Sequence, residues 1–138
     1  MKSLLALALL IAPVPAASAS PSVETAIGDW SKLPPLQQRA HDRISAKAMQ
    51  RLFEISQEGQ CRLPGQSGNK LDLSLSFAAH FEPDGTLKRV ILPKLNCPEA
   101  EGVIGGAVLE LIRTGVYRPT GENLEGWYRG SFGFGFIG

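Results

Sequence analysis

The spacing of apolar residues changes period along the chain, and each period predicts a different element. Leu36, Ala40, Ile44, Ala48, Leu52 and Ile55 recur at three- or four-residue steps between Pro34-Pro35 and Gly59. That spacing predicts one long amphipathic helix, opened by proline and closed by glycine. Its other face carries charged and amide side chains, Gln37, Asp42, Lys47, Arg51 and Glu54 among them, and is expected to meet solvent. Pro64, Gly65, Ser67 and Gly68 then interrupt any period, so residues 62–69 read as a loop.

From Leu71 the period becomes two. Leu71, Leu73, Leu75 and Phe77 alternate with Asp72, Ser74 and Ser76, the pattern of a half-buried strand, which continues to Glu82. At Pro83-Asp84-Gly85 the chain is expected to reverse. Proline presets φ, aspartate bonds the backbone ahead of it, and glycine takes a positive φ. A second strand follows from Thr86 to about Leu95, with Val90 and Leu92 directed to the core.

Cys97-Pro98 opens a second helix, with Glu99 and Glu101 in the first turn, where negative charge complements the helix dipole. Val103, Ile104, Ala107, Val108, Leu111 and Ile112 make it apolar over most of its girth, so it is expected to be largely buried. After Gly115 and the Val116-Tyr117-Arg118-Pro119 corner, a last strand runs from about Trp127 to Ile137. In it Tyr128, Phe132, Phe134 and Phe136 share one face, and Arg129, Ser131, Gly133 and Gly135 share the other. The predicted fold is α+β in the order α-β-β-α-β: a three-stranded antiparallel sheet packed against two helices.

The first residues carry an address. Met1, Lys2 and Ser3 form a basic start, Leu4 to Ile11 an apolar run, and Ala17-Ser18-Ala19 the small-x-small pattern of a cleavable export signal. The run falls short of the roughly 20 residues a spanning helix needs. The expected organisation is a signal peptide over residues 1–19, a short flexible lead over 20–30 and one domain over 31–138, with no membrane anchor after cleavage. Cys61 and Cys97 are the two cysteines, and an even count in an exported chain points to one disulfide. Closing that loop stabilises a small domain by roughly 3 to 4 kcal/mol.

Charge and motifs exclude more than they assign. The formal net charge is +1, without the basic excess that neutralises phosphates, so nucleic acid is not expected as a partner. Gly65-Gln66-Ser67-Gly68 lies in a loop before a strand, not on the strand-to-helix turn of a nucleophile elbow. His41 and His80 fall on separate elements with no companion ligands, and Glu82 and Asp84 are explained by solvent and by the turn. Gly102, Gly105 and Gly106 lack the spacing of a phosphate loop and are expected to let helix backbone pack closely on the sheet. No catalytic residue, metal or cofactor is expected.

Four stretches taken in order resemble a known family: the hairpin LSFAAHFEPDGTLKRVIL, the helix PEAEGVIGGAVLELIRTG, the corner VYRPTGEN and the ending GSFGFGF. They are similar to the C-terminal domain of the TonB energy-transducing proteins, and the preceding helix and the two cysteines also resemble the related TolA C-terminal domain. Two features depart from TonB: the start reads as cleavable where the family has a membrane helix and a long Pro-rich spacer, and Gly115-Val116 stands where the family carries a bulky residue. The resemblance implies a periplasmic domain, without catalysis, that holds extended segments of other proteins against a sheet edge. The partner it implies is an outer-membrane receptor or another envelope protein, with a link to TonB-dependent energy transduction.

Edge chemistry selects the strand. Lys88, Arg89, Pro93 and Lys94 guard the second strand, as natural proteins guard exposed edges. The last strand has no charge or proline after Arg129. The expected docking edge is therefore Arg129, Gly130, Ser131, Phe132, Gly133, Phe134, Gly135 and Phe136, taking an extended partner segment or a second copy of the chain. The alternatives are a small-molecule or lipid carrier whose Gly-Phe alternation lines a cavity between sheet and helix, and a structural periplasmic protein that self-associates through the same strand.

Overall fold

The computed structural model describes residues 20–40, 44–120 and 125–137. The expected signal peptide, His41, Asp42, Arg43 and Gly138 lie outside these residues. The order is β1 (Ser22–Ala26), β2 (Gln37–Gln38), α1 (Ala46–Glu58), β3 (Gln66–Ser67), β4 (Lys70–Phe81), β5 (Leu87–Pro93), α2 (Pro98–Arg113), β6 (Tyr117–Arg118) and β7 (Gly126–Ile137).

The hairpin forms as the pattern predicts. The Thr86 amide donates to the Asp84 carboxylate at 2.9 Å, and Gly85 takes φ 85°. That backbone bond holds the Asp84 carboxyl below its ordinary value. β7 lies antiparallel to β4 along its whole length, from Lys70 opposite Ile137 to Phe81 opposite Gly126. The alternation resolves as expected: Leu71, Leu73, Leu75 and Phe77 are buried on the helix side, with Tyr128 and Phe132 on the same face of β7. Phe134 and Phe136 share that face but are only half-buried, and the Phe136 ring lies tilted against Phe53 of α1, with centroids 4.6 Å apart.

The expected sheet needs correction. The sheet has five strands and is mixed, not three antiparallel strands. Residues 22–26, expected as flexible lead, form β1, which runs parallel to β5 with Ser22 opposite Arg89 and Ala26 opposite Pro93. The residues read as edge protection on β5 therefore do not bound the sheet; Arg89 pairs instead with Glu24 of β1 at 2.5 Å. β3 adds a further strand, with Gln66 opposite Leu71 within the stretch read as loop.

The first helix also starts ten residues later than expected from Leu36. Ser45 is its N-cap, its hydroxyl accepting from the Ala48 amide at 3.1 Å, and Gly59 closes it as predicted, with φ 74°. Pro34 and Pro35 lie outside any helix, with Pro35 in a β-bridge to Arg129. A proline drives the residue before it away from the helical region, so the doubled proline disfavours a helix at both Leu33 and Pro34. Leu36 and Ile44 are buried nonetheless, which is why they imitated a helix face.

α1 and α2 cover one face of the sheet. The Cys61–Cys97 disulfide, Cα–Cα 5.8 Å, joins the chain just after α1 to the residue that opens α2. Arg51 reinforces the same junction, bonding Glu54 at 3.1 Å and Glu58 at 3.0 Å on its own helix and reaching Glu99 on α2. The carboxylates raise the Arg51 pKa. Of the helix glycines, only Gly105 serves close packing: a Cβ there would lie 2.8 Å from Cγ1 of Val23 on β1, while Gly102 and Gly106 face open space.

Candidate functional site

Backbone hydrogen bonds decide which parts of the β7 edge are open. β4 occupies one side of the strand; the other side is the sheet boundary beyond β7. At Arg129 that boundary is already filled. The Arg129 amide donates to the Pro34 carbonyl at 2.9 Å, the Leu36 amide donates to the Arg129 carbonyl at 2.8 Å, and Pro35 bridges Arg129 in parallel. The Arg129 side chain adds a third tie, its Nε donating to the Leu33 carbonyl at 2.9 Å. Arg129, expected as part of the docking edge, is thus a clamp on the chain's own residues 33–36.

The next outward carbonyl, that of Ser131, accepts from the Tyr117 hydroxyl at 2.6 Å. Tyr117 arrives there because β2 and β6 pair beside the edge, Gln37 opposite Arg118 and Gln38 opposite Tyr117. Its ring is buried and meets Phe77 edge-on, with centroids 5.7 Å apart. The outward backbone positions follow the alternation set at Arg129, so Ser131, Gly133, Gly135 and Ile137 turn their amides and carbonyls away from β4. Beyond the Pro34–Leu36 contact, no strand among the described residues runs along this stretch.

Gly130, Phe132, Phe134 and Phe136 serve the strand from inside, not at the open edge. Phe132 is buried, 2% exposed. Gly130 exists to admit Phe77: a Cβ on it would sit 2.3 Å from the tip of that ring. Gly130→Ala should cost about 1 to 3 kcal/mol through forced repacking, measured as a fall in urea midpoint at unchanged slope. At Gly133 a Cβ would lie 2.9 Å from the Leu73 carbonyl oxygen, whereas at Gly135 its nearest contact is Asp72 Oδ1 at 4.0 Å. Gly135 is therefore the position where the edge can be altered without disturbing β4.

The opposite face of the sheet carries a separate row. His80 stacks on Trp127 at 4.6 Å with ring planes 8° apart, and the Arg89 guanidinium lies 5.4 Å from the Trp127 centroid. Nδ1 of His80 and Nε of Arg89 are buried without a hydrogen-bond partner among the described residues. Among those residues no group of three or more His, Cys, Asp or Glu is placed to hold a metal ion, and no helix is long and apolar enough to cross a membrane. Phe77, Phe81, Phe132 and Leu52 are fully buried between sheet and helices.

Sequence reasoning missed the residues that define the site's limits, Pro34 to Leu36 and Tyr117. The signal for the first was present in the doubled proline. Nothing in the sequence marked Tyr117 as the donor to Ser131. In comparisons with known proteins, no family model, no curated protein and no solved structure matches this chain.

Proposed function

We propose that the protein is a non-catalytic, periplasmic binding module that captures an extended segment of an outer-membrane transport protein along β7, from Ser131 to Ile137. The observation that carries this is the seating of Pro34–Leu36. The chain already adds an extended segment of its own to the outer side of β7, through two backbone bonds at Arg129, and then leaves the edge. The uncharged, proline-free stretch beyond it can accept a foreign segment by the same backbone chemistry, with affinity from main-chain hydrogen bonds. The resemblance of the hairpin, helix, corner and aromatic ending to TonB C-terminal domains points to the same class of partner. Export by a cleaved signal and a link to TonB-dependent transport belong to this proposal.

The test is Gly135. Proline there removes one outward amide, while alanine keeps it and meets only an ordinary contact at Asp72. Immobilised wild type and Gly135→Ala should retain a receptor from a detergent-solubilised outer-membrane fraction of the native host. Gly135→Pro, with its fold checked by circular dichroism, should retain about tenfold less, the loss of one to two kcal/mol that a backbone bond represents. Full retention by folded Gly135→Pro would contradict the assignment.

A further inference from the structure

A second site lies apart from the open edge, where the β2–β6 ribbon, the last turn of α2 and the β4–β5 turn meet around a cleft of about 580 Å³. Gln37 pairs with Arg118, and the Arg39 amide donates to the Val116 carbonyl at 2.8 Å. This register puts Arg39 and Arg118 on one face of the ribbon, while Tyr117 turns the other way into the core. Arg118 reaches the cleft across Gly115, where a Cβ would lie 2.7 Å from its Nη2. Arg113 lines a third side.

The ordinary explanation for arginines here is neutralisation of the carbonyl end of α2. Three of the last carbonyls are already taken: the Thr114, Gly115 and Val116 amides donate to Glu110, Ile112 and Leu111 at 2.9, 3.1 and 2.9 Å. Arg113 is held by Glu110 through Nε at 3.0 Å and Nη2 at 2.5 Å. Arg39 and Arg118 have no acidic partner among the described residues. Asp84, the one carboxylate lining the cleft among the described residues, is engaged by the Thr86 amide. Arg118 lies opposite Gln37 and diagonal to Arg39 on this face, so an anion bound between the two guanidinium groups would meet positive charge from both.

We propose that this cleft binds a small oxyanion carrying at least two negative charges, a phosphate or a polycarboxylate, with Arg39 and Arg118 as its forked donors. The site is independent of the β7 edge. Titration calorimetry of the full chain at low ionic strength, with inorganic phosphate and separately with citrate, tests it. Saturable one-to-one binding is expected, weakened about tenfold or more by Arg118→Gln and by Arg39→Gln, since each removes charge-assisted hydrogen bonds. Lys94→Gln, an exposed cation elsewhere on the surface, should leave it unchanged. Saturation by phosphate, by citrate or by both supports the site and tells which oxyanion it takes. Saturation by neither, or equal weakening by Lys94→Gln, overturns it.

Discussion

Phe132→Ala should destabilise the protein by about 3 to 5 kcal/mol, a large part of the stability available to a domain of this size. Phe132 is 2% exposed, lies opposite Leu75 of β4 and has Phe134 at 6.0 Å between ring centroids. Truncation loses the transfer energy of the ring and leaves a cavity lined by side chains that β4 and the helices hold in place. Ser131→Ala, one residue away on the exposed face, should stay within about 0.5 kcal/mol of wild type. The contrast is a test of register, because a one-residue slip of β7 would exchange the two faces. Equal shifts of the denaturation midpoint for the two variants would show that the strand is registered otherwise.

The second large effect is expected at the disulfide. Cys61 and Cys97 are 36 positions apart, and the chain-entropy relation gives about 3 to 4 kcal/mol for closing such a loop. Cys61→Ala/Cys97→Ala should lose that amount, read as a lower urea midpoint. The Arg51 bonds to Glu54, Glu58 and Glu99 span the same junction but cannot replace the crosslink, because exposed ion pairs contribute little. Arg51→Gln should therefore cost well under about 1 kcal/mol. A double alanine variant with the wild-type midpoint would mean that the crosslink does not constrain the unfolded chain as this relation requires.

What was legible in the sequence was whatever repeats. The β4 alternation extends over six apolar positions from Leu71 to Phe81, and β7 answers it with four aromatics, so the hairpin, the long pairing and the buried face all follow from period two. α2 was legible because its apolar positions cover most of its surface and proline marks its start. What escaped is short. β1 has five residues with only Val23 and Thr25 turned toward the helix side, too few to establish a period, and its role is set by the unfilled edge of β5, a tertiary fact.

The misplacement of the first helix has a different cause. Leu36, Ala40 and Ile44 fit a helical face, and Leu36 and Ile44 are indeed buried, but the spacing between two buried residues does not determine the backbone that joins them. Proline at a helix start and proline in extended chain look alike in sequence. The pair Pro34-Pro35 favours the extended form, since each constrains the residue before it. That local conformation has a functional consequence, because it lets residues 34–36 run along Arg129 and set the boundary of the open edge. Of the eight residues expected to form the docking edge, Arg129 is occupied by the chain itself. Phe132, Phe134 and Phe136 support the strand from within; of the outward positions, the Ser131 carbonyl is taken by the Tyr117 hydroxyl, and the backbone that a partner would follow centres on Gly135.

The central claim is that a partner segment runs along β7 beyond Ser131, and site-specific photo-crosslinking in the native host tests it most directly. A photoreactive phenylalanine analogue is placed singly at Ser131 or Gly135 on β7 and, for comparison, at Thr25 on β1 or Lys88 on β5, all four at exposed positions. The account predicts adducts with one outer-membrane protein from Ser131 and Gly135 and none from Thr25 or Lys88. Adducts from Thr25 or Lys88, with β7 silent, would place the partner on the far edge of the sheet and contradict it.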